Sequence, residues 1–162
     1  MVAFFLMTID QAIQKTNIDI RDLLNKYIAK KSGNILGSVK LRFWQKGIDG
    51  FGNSLGKYAP STVIRKKRSP FSRTSHVTLR NTGQWYQSLF IKLESDALLL
   101  DSKDSSLTAM LIDGEGSHFL GYGEGILEFS NDEKILIQTY IDDFQKIIKK
   151  QIELDLDLDI TL

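Results

Sequence analysis

The chain has 162 residues, enough for one domain of ordinary size, and 42% of them are hydrophobic, enough for a real core. A net charge of +1 gives no bulk pull towards nucleic acid or anionic lipid. Cysteine is absent, which excludes disulfides, thiolate metal sites and a cysteine nucleophile, and suits assembly in a reducing cytoplasm.

Residues 1–7 are uniformly apolar. They lack a basic lead and are too short for a signal-peptide core or a membrane span, so they read as a flexible extension. Over 8–31, Ile9, Ala12, Ile13, Ile20, Leu23, Leu24, Tyr27 and Ile28 recur at helical spacing, with Thr16 and Asn17 weakening the middle. Ser32-Gly33-Asn34 predicts a stop, because Gly33 suits the left-handed position after a helix. A second helix is predicted over 35–46, with Ile35, Leu36, Val39 and Phe43 inward, Trp44 on its edge and Gly47 ending it.

Residues 47–78 read as a long loop rich in breakers (Gly47, Gly50, Gly52, Gly56, Pro60, Pro70), with a short helix over 61–68 capped by Ser61. Its later part, running on to Arg80, is basic: Lys57, Arg65, Lys66, Lys67, Arg68, Arg73 and Arg80 occur with no acidic residue among them. Seven like charges held together call for a partner, either phosphate or an acidic protein surface; a solvated loop is the plain alternative. Tyr58 and Phe71 are the aromatics between Lys57 and Arg80, too few for a dedicated single-strand binder.

From Leu79 the string Leu79-Arg80-Asn81-Thr82-Gly83 predicts a turn opening a short helix, with Asn81 or Thr82 as cap. Leu79, Trp85 and Leu89 should face the core. Alternation over 90–94, a turn at Asp96-Ala97, and returns over 98–102 and 107–112 predict a three-stranded meander. A Gly-rich loop follows over 113–125. Ser130 with Glu133 three residues on is a capping box, and Ile137, Tyr140, Ile141, Phe144, Ile147, Ile148 and Ile152 form the stripe of the helix it opens.

At the end, Ile152, Leu154, Leu156, Leu158, Ile160 and Leu162 alternate with Glu153, Asp155, Asp157 and Asp159, except at Thr161. Period two predicts a strand roughly 35 Å long with its apolar face offered to a second subunit. The predicted class is α+β: two N-terminal helices, an antiparallel meander, a long basic loop, a C-terminal amphipathic helix and a terminal strand, in a single domain.

Catalytic or metal chemistry has little to build on. His76 and His118 have no companion at ligand spacing, the Asp155, Asp157, Asp159 row reads as a solvated or partner-facing edge, and Gly121-x-Gly123-x-Gly125 lacks the strand–turn–helix setting of a phosphate loop. No catalytic residue, metal or cofactor is expected.

The order of features carries a family resemblance. Gly47-Ile48-Asp49-Gly50-Phe51-Gly52, then Pro60-Ser61-Thr62, basic Lys66-Lys67, Leu79-Arg80-Asn81-Thr82-Gly83 with Ser88-Leu89 five residues after the glycine, and Phe129-Ser130 opening a helix resemble the tailed-phage virion morphogenesis and tail completion proteins. Ser54-Leu55 stands where relatives carry a Trp, and Trp85 near where they carry Leu. The resemblance implies a structural virion subunit forming a homo-oligomeric ring at the head–tail junction or tail end, in contact with portal, connector or tail proteins and with packaged DNA. It implies structural roles for Leu79, Thr82, Gly83 and Ser88. A DNA-binding accessory protein working through 57–80 is the alternative.

Overall fold

A computed structural model describes residues 19–68, 73–94, 97–114 and 121–160, with backbone alone for 155–160. The architecture is α+β. In chain order it has α1 (Ile20–Gln45), α2 (Pro60–Lys67), α3 (Gln84–Ser88), strands β1 (Leu89–Glu94) and β2 (Ala97–Ser102), α4 (Ser105–Asp113), a 3-10 turn (Glu124–Leu127) and α5 (Asn131–Ile160). The chain divides into two compact units, Met1–Lys30 with Gln138–Leu162, and Lys31–Ile137. Among the described residues no helix is long and apolar enough to cross a membrane.

Within the first unit, Ile28, Phe144 and Ile152 are buried, and the Tyr27 and Phe144 rings meet at 5.4 Å. The second unit is built around Ile35, Val39 and Phe43, all fully buried at spacings of four on α1. Phe43 sits 5.8 Å from the Trp85 ring and 6.3 Å from Tyr86, with Leu55, Val77, Leu79, Leu89, Leu111, Ile126 and Phe129 also buried in this unit.

Four expectations are corrected. The stop at Ser32-Gly33-Asn34 is not used: α1 runs through it as one helix. A mid-helix glycine costs about 1 kcal/mol, and burying a residue such as Phe43 returns about 1.5–3 kcal/mol, so the stripe wins. The predicted helix before residue 19 lies outside the described residues. The short helix expected within the long loop forms as α2, but it begins at Pro60 and Ser61 is not its cap; ahead of it Asp49 accepts from the Asn53 backbone N–H and side-chain amide at 2.8 and 3.1 Å, and Gly50 N–H reaches Gly125 O at 2.8 Å.

The meander has two strands, not three. Leu89 pairs with Ser102 and Glu94 with Ala97. Residues 107–112 belong to α4, because Asp104 accepts from Leu107 N–H at 3.0 Å at its start and left-handed Gly114 (φ 74°) closes it. Most consequentially, the terminal strand is not formed. Ile152, Leu154, Leu156, Leu158 and Ile160 lie in α5, and Leu162 lies outside the described residues. No Gly or Pro follows Gly125, so nothing stops the helix, and Ile152 falls on the same buried stripe as Ile137 and Phe144. A spacing of two collects on one side of a strand but not of a helix, so the Asp155, Asp157, Asp159 row of a strand edge does not exist.

The capping box is formed as read: Ser130 N–H donates to Glu133 Oε2 at 2.7 Å, and Glu133 N–H donates to Ser130 Oγ at 3.4 Å. Glu133 has a second job. It is 1% exposed and faces the 4%-exposed Arg42 side chain at 3.4 Å.

Candidate functional site

The basic run and the Leu79–Ser88 turn are neighbours in the second unit, and the structure sorts their residues into two sets. Lys57, Arg65, Lys67 and Arg68 are exposed. Lys66, Arg73 and Arg80 are turned to structural use.

Lys66 is 4% exposed; its ammonium donates to the Arg80 carbonyl at 2.6 Å and lies 4.8 Å from the Tyr58 ring centre. Arg73 donates to the Trp44 carbonyl at 2.6 Å, and its guanidinium stands 5.5 Å from the Trp44 ring. His76 Nε2 lies 3.1 Å from the same carbonyl and therefore carries the proton, while Nδ1 meets Ser75 Oγ at 3.0 Å. Both groups serve the C-terminal end of α1, where carbonyls lack helical partners and cations are favoured. The Arg80 guanidinium spans the Trp44 and Tyr86 rings at 5.5 and 5.9 Å. Uneven burial of a basic run cannot be read from its composition. It comes from Tyr58, within the run itself, and from Trp44 and Tyr86, which the pattern places on other elements.

The turn between is wired from Thr78, which is fully buried. Its N–H donates to Tyr58 Oη at 2.9 Å, the two hydroxyls meet at 3.0 Å, and its carbonyl accepts from Tyr86 Oη. Burial, with Tyr58 adding, pushes the Tyr86 phenol well above its ordinary value. Leu79 then takes a positive φ of 54°, rare for a bulky residue, and is buried as expected with Trp85 and Leu89. The cap of α3 is Gly83 (φ 90°), neither Asn81 nor Thr82; Thr82 Oγ1 accepts from Gln84 N–H at 3.2 Å. Ser88 donates to Trp85 O at 2.8 Å and meets Ser102 Oγ at 2.7 Å, tying α3 to β2.

Between α2, the turn and α4 lies a groove of about 310 Å³, lined among others by Arg65, Val77, Leu79, Leu107, Met110 and Leu111. Ile64, on α2, is 61% exposed. Among the described residues no group of three or more His, Asp or Glu side chains gathers as a metal site requires. His118 lies outside the described residues.

Comparison with known proteins finds no family, no curated protein and no solved structure that matches this chain.

Proposed function

We propose that this chain is a non-enzymatic structural subunit of a tailed-phage virion, forming a ring at the head–tail junction or completing the tail. The observation that supports this reading is the series Asp49-x-x-Gly52, Lys66, Leu79-x-x-Thr82-Gly83 and Ser88, which resembles the tail completion proteins in order and spacing. In this chain each polar member holds backbone in place. Asp49 closes its turn, Lys66 ties α2 to the Arg80 carbonyl, Thr82 steadies the start of α3, and Ser88 joins α3 to β2. A scaffold of this kind presents the exposed Lys57, Arg65, Lys67 and Arg68 to a partner: a neighbouring virion protein or packaged DNA.

Deleting the gene from the phage genome that carries it tests the reading. DNA-filled heads and separate tails that fail to join, restored by supplying the chain in trans, are expected. Infectious particles of normal form without it would overturn the reading. Tight, steeply salt-dependent binding of duplex DNA by the isolated monomer would favour the DNA-binding alternative.

A further inference from the structure

We propose that the groove between α2, the 77–84 turn and α4 receives the acidic, aliphatic C-terminal segment of a second copy of this chain. The inference rests on the ring reading above and names the contact that would build the ring.

The groove has two chemistries. Its floor is apolar, with Val77, Leu79 and Leu111 buried and Leu107 and Met110 half-buried. Arg65 lines the groove and is exposed, Lys67 at the end of α2 and Arg68 just after it are exposed beside it in the chain, and no acidic residue occurs between Lys57 and Arg80. An occupant must therefore supply aliphatic side chains and carboxylates together.

Residues 152–162 supply both at high density. Glu153, Asp155, Asp157 and Asp159 alternate with Leu154, Leu156, Leu158 and Ile160, and the segment holds no Lys or Arg. Four negative charges face three exposed positive ones, counted from Arg65, Lys67 and Arg68. Leu154 is 51% exposed, an aliphatic side chain left open to a partner. The stretch just before this segment, by contrast, carries Lys146, Lys149 and Lys150, so the run of carboxylates with no cation among them begins at Glu153.

The groove and the segment are different surfaces of one chain, so the contact is head-to-tail, and head-to-tail contacts generate rings when the rotation closes. Charge complementarity sets its register and steers the approach, and burial of leucines against the floor holds it.

Two full-length variants test the contact by sedimentation velocity. One is Glu153→Gln, Asp155→Asn, Asp157→Asn, Asp159→Asn; the other is Arg65→Gln, Lys67→Gln, Arg68→Gln. The wild-type chain should form closed oligomers, and each variant alone should self-associate about tenfold more weakly or worse. Mixed in equal amounts they should form a heterodimer and stop there, because each retains one intact surface. A photoreactive residue in place of Met110, in a mixture of light and isotope-labelled wild-type background, should capture residues 152–162 of the other isotope. This second readout leaves every charge in place and does not depend on the two variants folding well. Oligomers unaffected by either variant would overturn the inference and leave the ring reading standing. A wild-type chain monomeric at every concentration would overturn both. Capture only of the same chain's own segment, or of duplex DNA in its place, would also overturn it.

Discussion

The Lys66 ammonium donates a 2.6 Å hydrogen bond to the Arg80 carbonyl and lies over the Tyr58 ring, so one residue of the basic run is a strut and its neighbours are not. Reading 65–68 as a uniform patch therefore misjudges what neutralising it does. Lys66→Gln should destabilise the fold by about 1.5–3 kcal/mol, the range for a hydrogen bond from a charged donor left unmade. Arg65→Gln, Lys67→Gln and Arg68→Gln, all exposed, should each stay within about 0.5 kcal/mol. Urea unfolding of the four single variants measures this, and equal midpoints across the series would refute the division.

Arg42 and Glu133 form a buried pair bridging residues distant in sequence. Arg42 also donates to the Glu128 carbonyl at 3.1 Å, and burial lowers its pKa, with Glu133 and Asp49 opposing. Glu133→Gln retains a side chain able to cap α5 but strands a buried guanidinium. The expected loss is about 3–5 kcal/mol. Pairing it with Arg42→Met should recover part of that loss in a double-mutant cycle. If the double variant is as unstable as the sum of the singles, the pair is not coupled.

Tyr86 makes stability depend on alkaline pH. Its phenol is raised above the unfolded value of about 10, chiefly by burial. The folded state therefore keeps a proton that the unfolded state gives up, so stability present below about pH 10 falls as pH rises above it. Tyr86→Phe should flatten that alkaline decline while costing stability at neutral pH, through the lost bond to the Thr78 carbonyl. Chemical unfolding at pH 8 and pH 11 separates the two effects. An unchanged alkaline slope in Tyr86→Phe would show that another group carries it.

Asp104 decides that residues after it are helical. Its side chain accepts from Leu107 N–H, and its carbonyl accepts from Thr108 Oγ1 at 2.7 Å. Asp104→Ala should cost about 1 kcal/mol and loosen α4, seen as faster amide exchange across Ser105–Asp113 with β1 and β2 unchanged. Exchange unchanged in α4 would mean that packing alone holds the helix.

Some of this was legible from local chemistry. Ser130 and Glu133 sit three apart and satisfy each other's backbone donors, so no distant residue is needed to place that helix start. The hairpin follows from the alternation over 90–94 and its return over 98–102, and α2 was legible as a short helix, although it begins at Pro60 and not after a Ser61 cap. Leu79, Trp85 and Leu89 were identifiable as core from their apolar character next to a turn. The seven cations between Lys57 and Arg80 were legible only as one run; that Lys57, Arg65, Lys67 and Arg68 are the exposed members was not.

What sequence by itself determined, then, were features that residues within about one turn of each other settle: the Ser130–Glu133 capping box, a hairpin, amphipathic stripes, and the segregation of cations in 57–80 from anions in 153–159. Tertiary structure decided the competitions between local signals. Gly33 signals a stop, yet the burial of Ile35, Val39 and Phe43 carries α1 through it. The alternation after Ile152 signals a strand, yet an uninterrupted helix already fixes the backbone ahead of it, and extending a helix is easier than starting a new element. Lys66, Arg73 and Arg80 look like their exposed neighbours, yet Tyr58, Trp44 and Tyr86 receive them. For Gly33 and for the basic run the outcome depends on which atoms meet across long stretches of chain, because burial and hydrogen bonding in a packed interior outweigh propensities of about a kcal/mol or less.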